Sequence, residues 1–317
     1  MEKKENCCKP IKSKIGGQAL IEGVMMRGLD KSAIAVLKPD GEIDLSVEPI
    51  KIGKGMKIIN KIPVVRGVFN FVQSLTLGYG SLGKSAEIAG LEEEDEEPSK
   101  FEKWLEKTFG DNLMKVIVGL GMVLGLGAAI LLFFFVPSLI VKGIDMLLPL
   151  GGFKSVIEGI IKMAIFIGYL AAVVRMKEIR RVFEYHGAEH KTIACYEAGE
   201  ELTVENARKH SRFHPRCGTS FLFVVMIVSI LFSSLFTWIN PLVRVCIRLA
   251  FLPVIVGISY EFNRFVGRHD NGLTNALRAP GMMMQRFTTQ EPDDSMLEVA
   301  ILALQSVIPE NEKEDRW

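Results

Sequence analysis

The sequence predicts a mainly α protein: a polytopic α-helical membrane protein with about four transmembrane helices and a small cytosolic α+β module at the N-terminus. Hydrophobic residues make up 49% of the 317 residues, and the mean hydropathy of +0.25 is high for a soluble protein. These apolar residues are concentrated in blocks long enough to cross a bilayer. Strand-like alternation of apolar and polar residues, in contrast, occurs near the start of the chain.

Residues 1–90 are predicted to form the cytosolic N-terminal module. It contains a glycine-rich stretch, Gly16–Gly28, which matches neither a phosphate-binding P-loop nor a dinucleotide-binding fingerprint. The glycines favour a turn-rich edge of a small fold, and no chemical role follows from the sequence. Residues 33–38 and 42–47 flank a Pro-Asp-Gly turn, which predicts a β-hairpin.

The module is expected to end in a helix from Pro63 to about Ala89, where polar residues recur at helical spacing beside apolar ones. Its apolar part is too short and too interrupted to span a bilayer. We therefore expect a helix that lies at the membrane interface or packs between domains. Residues 91–112 include a run of acidic residues and are predicted to be a solvated linker.

Residues 113–262 are predicted to form the transmembrane region. Basic residues predict its orientation, because lysine and arginine are enriched in loops on the cytosolic side. The segment 175–218 contains nine of them, whereas 142–154 contains two, so this segment and both termini are expected in the cytosol. Four apolar blocks of spanning length lie within the region: 113–141, 155–174, 219–239 and 242–260.

Charged residues inside these blocks are expected to pair with one another. Glu158 of the second block and Arg244 and Arg248 of the fourth all lie near the outer ends of their blocks. We therefore predict that they face each other, and that they form a packing lock between helices rather than a transport path.

The segment between the second and third blocks contains four of the five histidines and two of the five cysteines of the chain. His186 and His190 are four residues apart, so on a helix they share a face, with Glu189 beside them. His-x-x-Glu-His is the inverted form of the zinc-protease motif, in which the histidines hold the metal and the glutamate takes a proton from the attacking water. The motif predicts His186 and His190 as metal ligands and Glu189 as the catalytic base.

Further ligands are available at the same cytosolic depth. We favour His214 and Cys217 and place His210 and Glu261 after them. Glu261 can instead pair with Arg264 or Arg268. Thr203 is expected to cap a helix that carries His210 and ends at His214. The expected cofactor is a divalent metal, most naturally zinc, which histidine and thiolate bind well. The competing interpretation is a chance motif whose histidines stay solvated or meet lipid headgroups.

The cytosolic C-terminal segment, residues 263–317, begins with a polar turn. Apolar residues then recur at helical spacing after Asp293 and Asp294, either of which is suited to cap a helix. An amphipathic helix that ends near Val307 is therefore predicted.

Four stretches resemble the YqhQ-like family of bacterial membrane proteins: Gly16–Gly28, Glu184–Lys191, His214–Ser220 and Gln285–Pro292. The resemblance extends over nearly the whole chain. It implies a multi-pass protein of the bacterial inner (cytoplasmic) membrane. The label of the family, predicted metal-dependent enzyme, implies an enzyme that uses a metal, and it supplies no established catalytic residue to carry over to this sequence.

The expected function is that of a metal-dependent, zinc-type integral membrane enzyme. It would be a hydrolase or protease that acts at the cytosolic face on a membrane-protein segment or a lipid-derived molecule. The alternative is a non-catalytic scaffold, assembly or quality-control factor with a structural metal or none, and a closed four-ligand site that includes Cys217 would favour it. A transporter ranks last, because matching halves with broken helices are absent from the pattern. The net charge of +1 argues against nucleic acid as a partner. The sequence does not predict an oligomeric state.

Overall fold

A computed structural model of the chain describes residues 11–50, 59–90, 113–235, 241–269, 271–311 and 315, with the backbone alone at 113–118, 241, 242, 244 and 245. The protein is mainly helical and has a small antiparallel sheet near the N-terminus, as the sequence predicts. The expected acidic linker, 91–112, and the end of the third apolar block, 236–239, lie outside the described residues.

The sheet is an antiparallel meander in the order β1-β2-β3-β4, with strands Gly16–Leu20, Gly23–Arg27, Lys31–Leu37 and Ile43–Pro49. Its last two strands are the predicted hairpin. The glycine-rich stretch, expected as a turn-rich edge, forms a second hairpin from β1 and β2. Glu22 lies in the turn of this hairpin with a φ of 49°, a left-handed conformation that non-glycine residues seldom adopt.

A long helix follows the sheet, and the remainder of the described chain is helical with short connections. In chain order the α-helices α1 to α10 are Val65–Ile88, Leu113–Ile130, Val136–Leu147, Lys154–Val173, Lys177–Glu197, Val204–Lys209, Gly218–Ser234, Pro241–Arg268, Gly272–Thr288 and Asp294–Gln305. A π-helical turn, Leu131–Phe135, joins α2 to α3, and a short 3₁₀ turn, Gly151–Phe153, precedes α4.

Three helical stretches in the described part of the chain are long and apolar enough to cross a membrane: Gly119–Leu147, Gly151–Val173 and Cys246–Arg268. Large apolar side chains such as Val123 and Ile160 are exposed on the first two, which suits a lipid environment. The third predicted block yields α7, a shorter apolar helix, and the end of that block lies outside the described residues.

The chain divides into two compact units. One comprises residues 1–92, 170–228 and 253–317, and the other comprises 93–169 and 229–252. The predicted linear division into an N-terminal module, a linker, a transmembrane region and a C-terminal segment stays a prediction.

The core of the first unit lies where α5 and α10 pack against the sheet. The sheet contributes Val24 and Met26, α5 contributes Tyr185, and α10 contributes Leu297 and Leu304. Helix α10 confirms the predicted amphipathic helix, and Asp293 caps it by accepting a hydrogen bond from the Met296 amide at 2.9 Å. The N-terminal strands and the C-terminal helix therefore share one core.

The second unit contains the predicted buried ion pair. Arg248 donates from Nη1 to Glu158 Oε1 at 2.6 Å, and Lys162 Nζ is 3.7 Å from the same oxygen. Glu158 is fully buried and Arg248 nearly so. The prediction is confirmed for Arg248, and the side chain of Arg244 lies outside the description.

Candidate metal centre

Helix α5 places the two histidines of the His-x-x-Glu-His motif on one face, as predicted. His186 and His190 lie one turn apart, and the centroids of their rings are separated by 4.4 Å. The helix continues past both residues to Glu197, so neither histidine lies at a frayed end. This arrangement allows both imidazoles to bind one ion.

Cys217 joins the two histidines from the residue before α7. Its Sγ is 3.2 Å from His186 Nε2, and the ligand atoms of His186, His190 and Cys217 all lie within 4.8 Å of one another. The Thr219 amide, at the start of α7, lies 3.4 Å from the sulfur and donates to it. A helix start beside a cysteine favours the thiolate, which is the form that binds metals.

Backbone carbonyls orient both imidazoles. The Thr288 carbonyl oxygen lies 2.7 Å from His186 Nδ1, and the Arg212 carbonyl oxygen lies 2.6 Å from His190 Nδ1. Because a carbonyl only accepts, each Nδ1 must carry a proton, so each imidazole in its neutral form has its lone pair on Nε2. Metal-binding histidines are commonly held in this tautomer by such a second hydrogen bond.

Glu189 is buried next to the two histidines, with a relative exposure of 5%. The Gly17 amide of β1 donates a hydrogen bond to its carboxylate. Its Oε2 atom has no hydrogen-bond partner within the described residues. Burial raises the pKa of Glu189, and the two histidines oppose that rise. The carboxyl group therefore has one buried oxygen without a hydrogen-bond partner among the described residues.

The electrostatics of the cluster favour a thiolate beside an imidazolium when no metal is bound. Burial disfavours the charged form of His186, but Cys217 and Glu189 outweigh it and raise the pKa of His186 to about 9. Burial likewise disfavours the Cys217 thiolate, but His186 and His190 lower the pKa of this thiol well below its usual value. A bound divalent cation would likewise place positive charge beside the Cys217 sulfur and stabilise the thiolate.

His214 borders this cluster without joining it. Its ring centroid is 5.6 Å from that of His190, and its Nε2 lies 3.3 Å from Glu197 Oε2. The Gln285 side chain accepts from the His214 amide at 2.8 Å and donates to the His214 carbonyl at 2.7 Å. Burial lowers the pKa of His214. The role of His214 as a ligand stays a prediction.

His210 lies in a different group. Thr203 caps α6 as predicted, but the expected helix over His210 and His214 is wrong, because α6 ends at Lys209. The side chain of His210 points to Glu200, with 3.2 Å between Nε2 and Oε2, and together with Cys195 they form a second set of possible ligand atoms. His210, the residue after α6, has an extended backbone, and the Gln285 side chain hydrogen-bonds the backbone of His214.

Glu261 is engaged away from the cluster. Arg66 Nε donates to Glu261 Oε1 at 2.6 Å, and a second Arg66 nitrogen binds the other carboxylate oxygen. The amide of Val64 donates to Oε1 at 3.2 Å. The competing interpretation paired Glu261 with Arg264 or Arg268, but its partner is instead Arg66, at the start of α1.

Several residues that shape the site were not identified from the sequence. The carbonyl groups of Thr288 and Arg212 orient the histidines, and Gln285 is fully buried against the His214 segment. Backbone carbonyls have no signature in a sequence. Gly17 stands out in the sequence as part of a glycine-rich stretch. Its contact with Glu189 could not be predicted, because Glu189 lies far away in the chain.

Comparisons with known proteins agree with one another. The family described as "Protein of unknown function (DUF1385)" matches residues 62–310. The "Uncharacterized protein YqhQ" of Bacillus subtilis (strain 168) is 34% identical over 306 residues, which cover 94% of this chain and 95% of that protein. No solved structure matches the chain.

Proposed function

Because the chain belongs to the DUF1385 family, for which the matching description assigns no activity, its function must be argued from the site, and we propose that it is a metal-dependent hydrolase of the bacterial cytoplasmic membrane. The proposal is carried by one observation. Ligand atoms of His186, His190 and Cys217 lie within 4.8 Å of one another, and both Nδ1 atoms are tied to carbonyl oxygens, which leaves Nε2 of each histidine for a metal.

This set of donor atoms fits zinc. Two imidazoles and one thiolate are ligands that zinc favours, and they are unsuited to magnesium or calcium, which prefer oxygen. Three protein ligands leave a coordination position open, which is typical of catalytic rather than structural zinc sites. Zinc, when bound, supplies Lewis acidity that activates water and polarises a carbonyl or phosphoryl group.

Glu189 would serve as the general base. Its carboxylate is buried beside the three proposed ligands, and one of its oxygens is free to take a proton from water. A raised pKa suits this role, because a base works best when its pKa approaches the working pH. The Gly17 amide would hold the other oxygen and thereby keep the carboxylate oriented during the reaction.

The proposed setting is the cytosolic face of the membrane. Three span-length helices and the apolar α7 support about four crossings, with both termini and residues 175–218 in the cytosol. The substrate would then be a membrane-protein segment or a lipid-derived molecule. Its reacting bond would reach the metal from the membrane surface.

Metal analysis tests the centre. Protein purified in detergent without chelators should contain about one zinc per chain, measured by elemental mass spectrometry. His190→Ala and Cys217→Ser should each lose it. His269→Ala is the matched control, because His269 is exposed and its ring hydrogen-bonds the backbone carbonyl of Phe265, away from the proposed ligands. Wild-type protein without metal, or variants that keep it, would refute the proposal.

The non-catalytic alternative makes a different prediction for the coordination sphere. A structural site would recruit His214 as a fourth ligand, since its ring lies 5.6 Å from that of His190. In Co²⁺-substituted protein, acetohydroxamate should change the visible absorption if a position is open, and should leave it unchanged if four side chains close the site. A closed site would favour a scaffold or quality-control factor.

A further inference from the structure

A cavity of about 270 Å³ lies between the β1–β2 hairpin and helix α1. The residues of its lining that offer charged groups, polar groups or bare backbone are Lys14, Gly16, Gly17, Gln18, Arg27 and Ser74. All of them belong to the first compact unit. The proposed zinc chemistry uses the Gly17 amide alone among them, so the cavity is an unexplained feature of the glycine-rich stretch.

The cavity is positively charged. Lys14 and Arg27 line it, and none of the described residues that line it is acidic. Arg27 is half-buried. In the described part of the chain, the one polar contact of its side chain is a 3.3 Å hydrogen bond to the neutral Gln73 side chain. A partly buried guanidinium without a carboxylate partner is costly, and a bound anion would supply the missing partner.

Backbone accounts for much of the remaining lining. At Gly16 no heavy atom lies within 4 Å of the position that a Cβ would occupy, so this part of the strand presents bare backbone to open space. Glycine permits oxygen atoms of a ligand to approach the main chain closely. The Gln18 amide and the Ser74 hydroxyl add neutral hydrogen-bonding groups.

We propose that this cavity binds a phosphate-type anion. Arginine matches the oxygens of such a group with a fork of donors, and lysine adds a point charge. The phosphate would belong either to a free phosphorylated molecule or to a lipid headgroup. Helix α1 exposes Val72, Leu75 and Tyr79, each more than half exposed, which would suit the apolar part of a lipid.

The cavity adjoins the proposed catalytic base. Gly17 lines the cavity and also packs against Glu189, so a single residue of β1 separates the two. An anion held here would therefore lie one residue away from the hydrolytic site. The binding itself does not depend on a metal.

Isothermal titration calorimetry on the full-length protein in neutral detergent tests the proposal with two probes, inorganic phosphate and dihexanoyl phosphatidic acid. Both should be titrated into wild type and into His190→Ala, so that binding to a metal is separated from binding in the cavity. Binding in both proteins is expected. Binding of inorganic phosphate assigns a free phosphorylated ligand, whereas binding of the phosphatidic acid alone assigns a lipid headgroup.

Two variants locate the binding. Arg27→Gln should weaken affinity roughly tenfold or more, because a hydrogen bond to a charged group is lost. Gly16→Asp should weaken it at least as much through repulsion, and the open space at Gly16 allows the new side chain without a clash. Lys84→Gln is the control, since Lys84 lies on α1 outside the cavity and pairs with Glu48.

Three outcomes would overturn the proposal. In the first, neither probe binds the wild type. In the second, both probes bind the wild type but neither binds His190→Ala, and in the third, Arg27→Gln and Gly16→Asp bind the probes as tightly as Lys84→Gln does. The second outcome would move the anion to the metal centre and leave the proposed hydrolase standing. Wild-type protein that contains no metal but still binds a probe would refute the proposed hydrolase and leave the anion site standing.

Discussion

At the scale of single residues, the chemistry of the site depends on how Glu189 is held. Its neighbours in the motif, His186 and His190, have both Nδ1 atoms occupied by carbonyl groups, so their remaining nitrogens face Cys217. Glu189 itself has one oxygen bound by the Gly17 amide and one without a partner in the described structure. A buried carboxylate with an unused oxygen is costly in a purely structural role, which favours a role in catalysis.

The change of Glu189→Gln should separate catalysis from metal binding. The amide keeps the shape of the side chain but cannot take a proton, so hydrolysis should fall by roughly 10²- to 10⁴-fold. Zinc content should remain near that of the wild type. The measurement is the mass-spectrometric yield of products released from bacterial membrane vesicles, together with metal analysis of each protein.

Glu184→Gln is the matched control for this change, because Glu184 lies on the same helix and pairs with Arg180 on its surface. It should leave both readouts unaltered. Equal product yields from wild type and Glu189→Gln would exclude Glu189 as the base.

Glu197 makes stability depend on pH. It accepts from the Ser13 amide at 2.6 Å and contacts His214 and Arg216. Burial opposes its ionisation, but His214 and Arg216 lower the pKa of Glu197 below the usual value. A carboxyl group with a lowered pKa in the folded state stabilises the fold fully above its unfolded pKa. This contribution declines below that value and is lost as the pH falls through the folded pKa.

Glu197→Gln should therefore lower the free energy of unfolding by about 2 kcal/mol at pH 6. The difference from wild type should shrink as the pH falls below about 4.3, the ordinary pKa of glutamate. Thermal unfolding in detergent between pH 6 and pH 3.5 measures it. Glu205→Gln, at an exposed position on α6, should show no such trend, and a constant difference for Glu197→Gln would contradict the assignment.

At the scale of secondary-structure elements, the β1–β2 hairpin packs against α5, the helix that contains the His-x-x-Glu-His motif. A Cβ at Gly17 would lie 2.8 Å from the side chain of Glu189 and from the Met25 carbonyl oxygen. Glu22, in the turn of the hairpin, binds Arg181 of α5. The glycine-rich stretch is thus needed for the close approach of a strand to the helix that carries the histidines.

Gly17→Ala should consequently destabilise the protein by about 1–3 kcal/mol, since the added methyl group overpacks the contact. It should also displace Glu189 and reduce hydrolysis. Gly16→Ala is a close control, because nothing lies within 4 Å of its Cβ position, and it should stay within about 0.5 kcal/mol of wild type. Chemical unfolding in detergent distinguishes them, and equal stability of the two variants would show that the contact at Gly17 is loose.

The elements with a clear period were predictable, and those held by distant contacts were not. The helix of His186 and His190, the β3–β4 hairpin and α10 follow from spacing and turn residues. The helix expected over His210 and His214 fails because Gln285, far along the chain, hydrogen-bonds the backbone of His214. Cys217 was among the favoured ligands because it precedes an apolar block, whereas its 3.2 Å distance to His186 depends on tertiary packing.

At the scale of the whole molecule, the N-terminal sheet and the C-terminal helix α10 pack together in one compact unit. The Ser13 hydroxyl donates to Asp315 at 2.6 Å, and α10 packs against strands β2 and β3. Sequence patterns describe neighbours along the chain, so they could not join segments some 300 residues apart. Ser13 and Asp315 must consequently lie on the same side of any membrane that the apolar helices cross.

That requirement agrees with the orientation predicted from lysine and arginine, and cysteine labelling can test it. Gly152→Cys and Ser211→Cys introduce exposed thiols into the weakly basic segment 142–154 and the strongly basic segment 175–218. In a background with Cys7, Cys8 and Cys246 changed to serine, a membrane-impermeant maleimide added to intact bacterial spheroplasts should label Gly152→Cys but not Ser211→Cys. After permeabilisation both should react. Labelling of Ser211→Cys in intact spheroplasts would invert the topology and move the His186 cluster to the outer face, where a cytosolic substrate could not reach it.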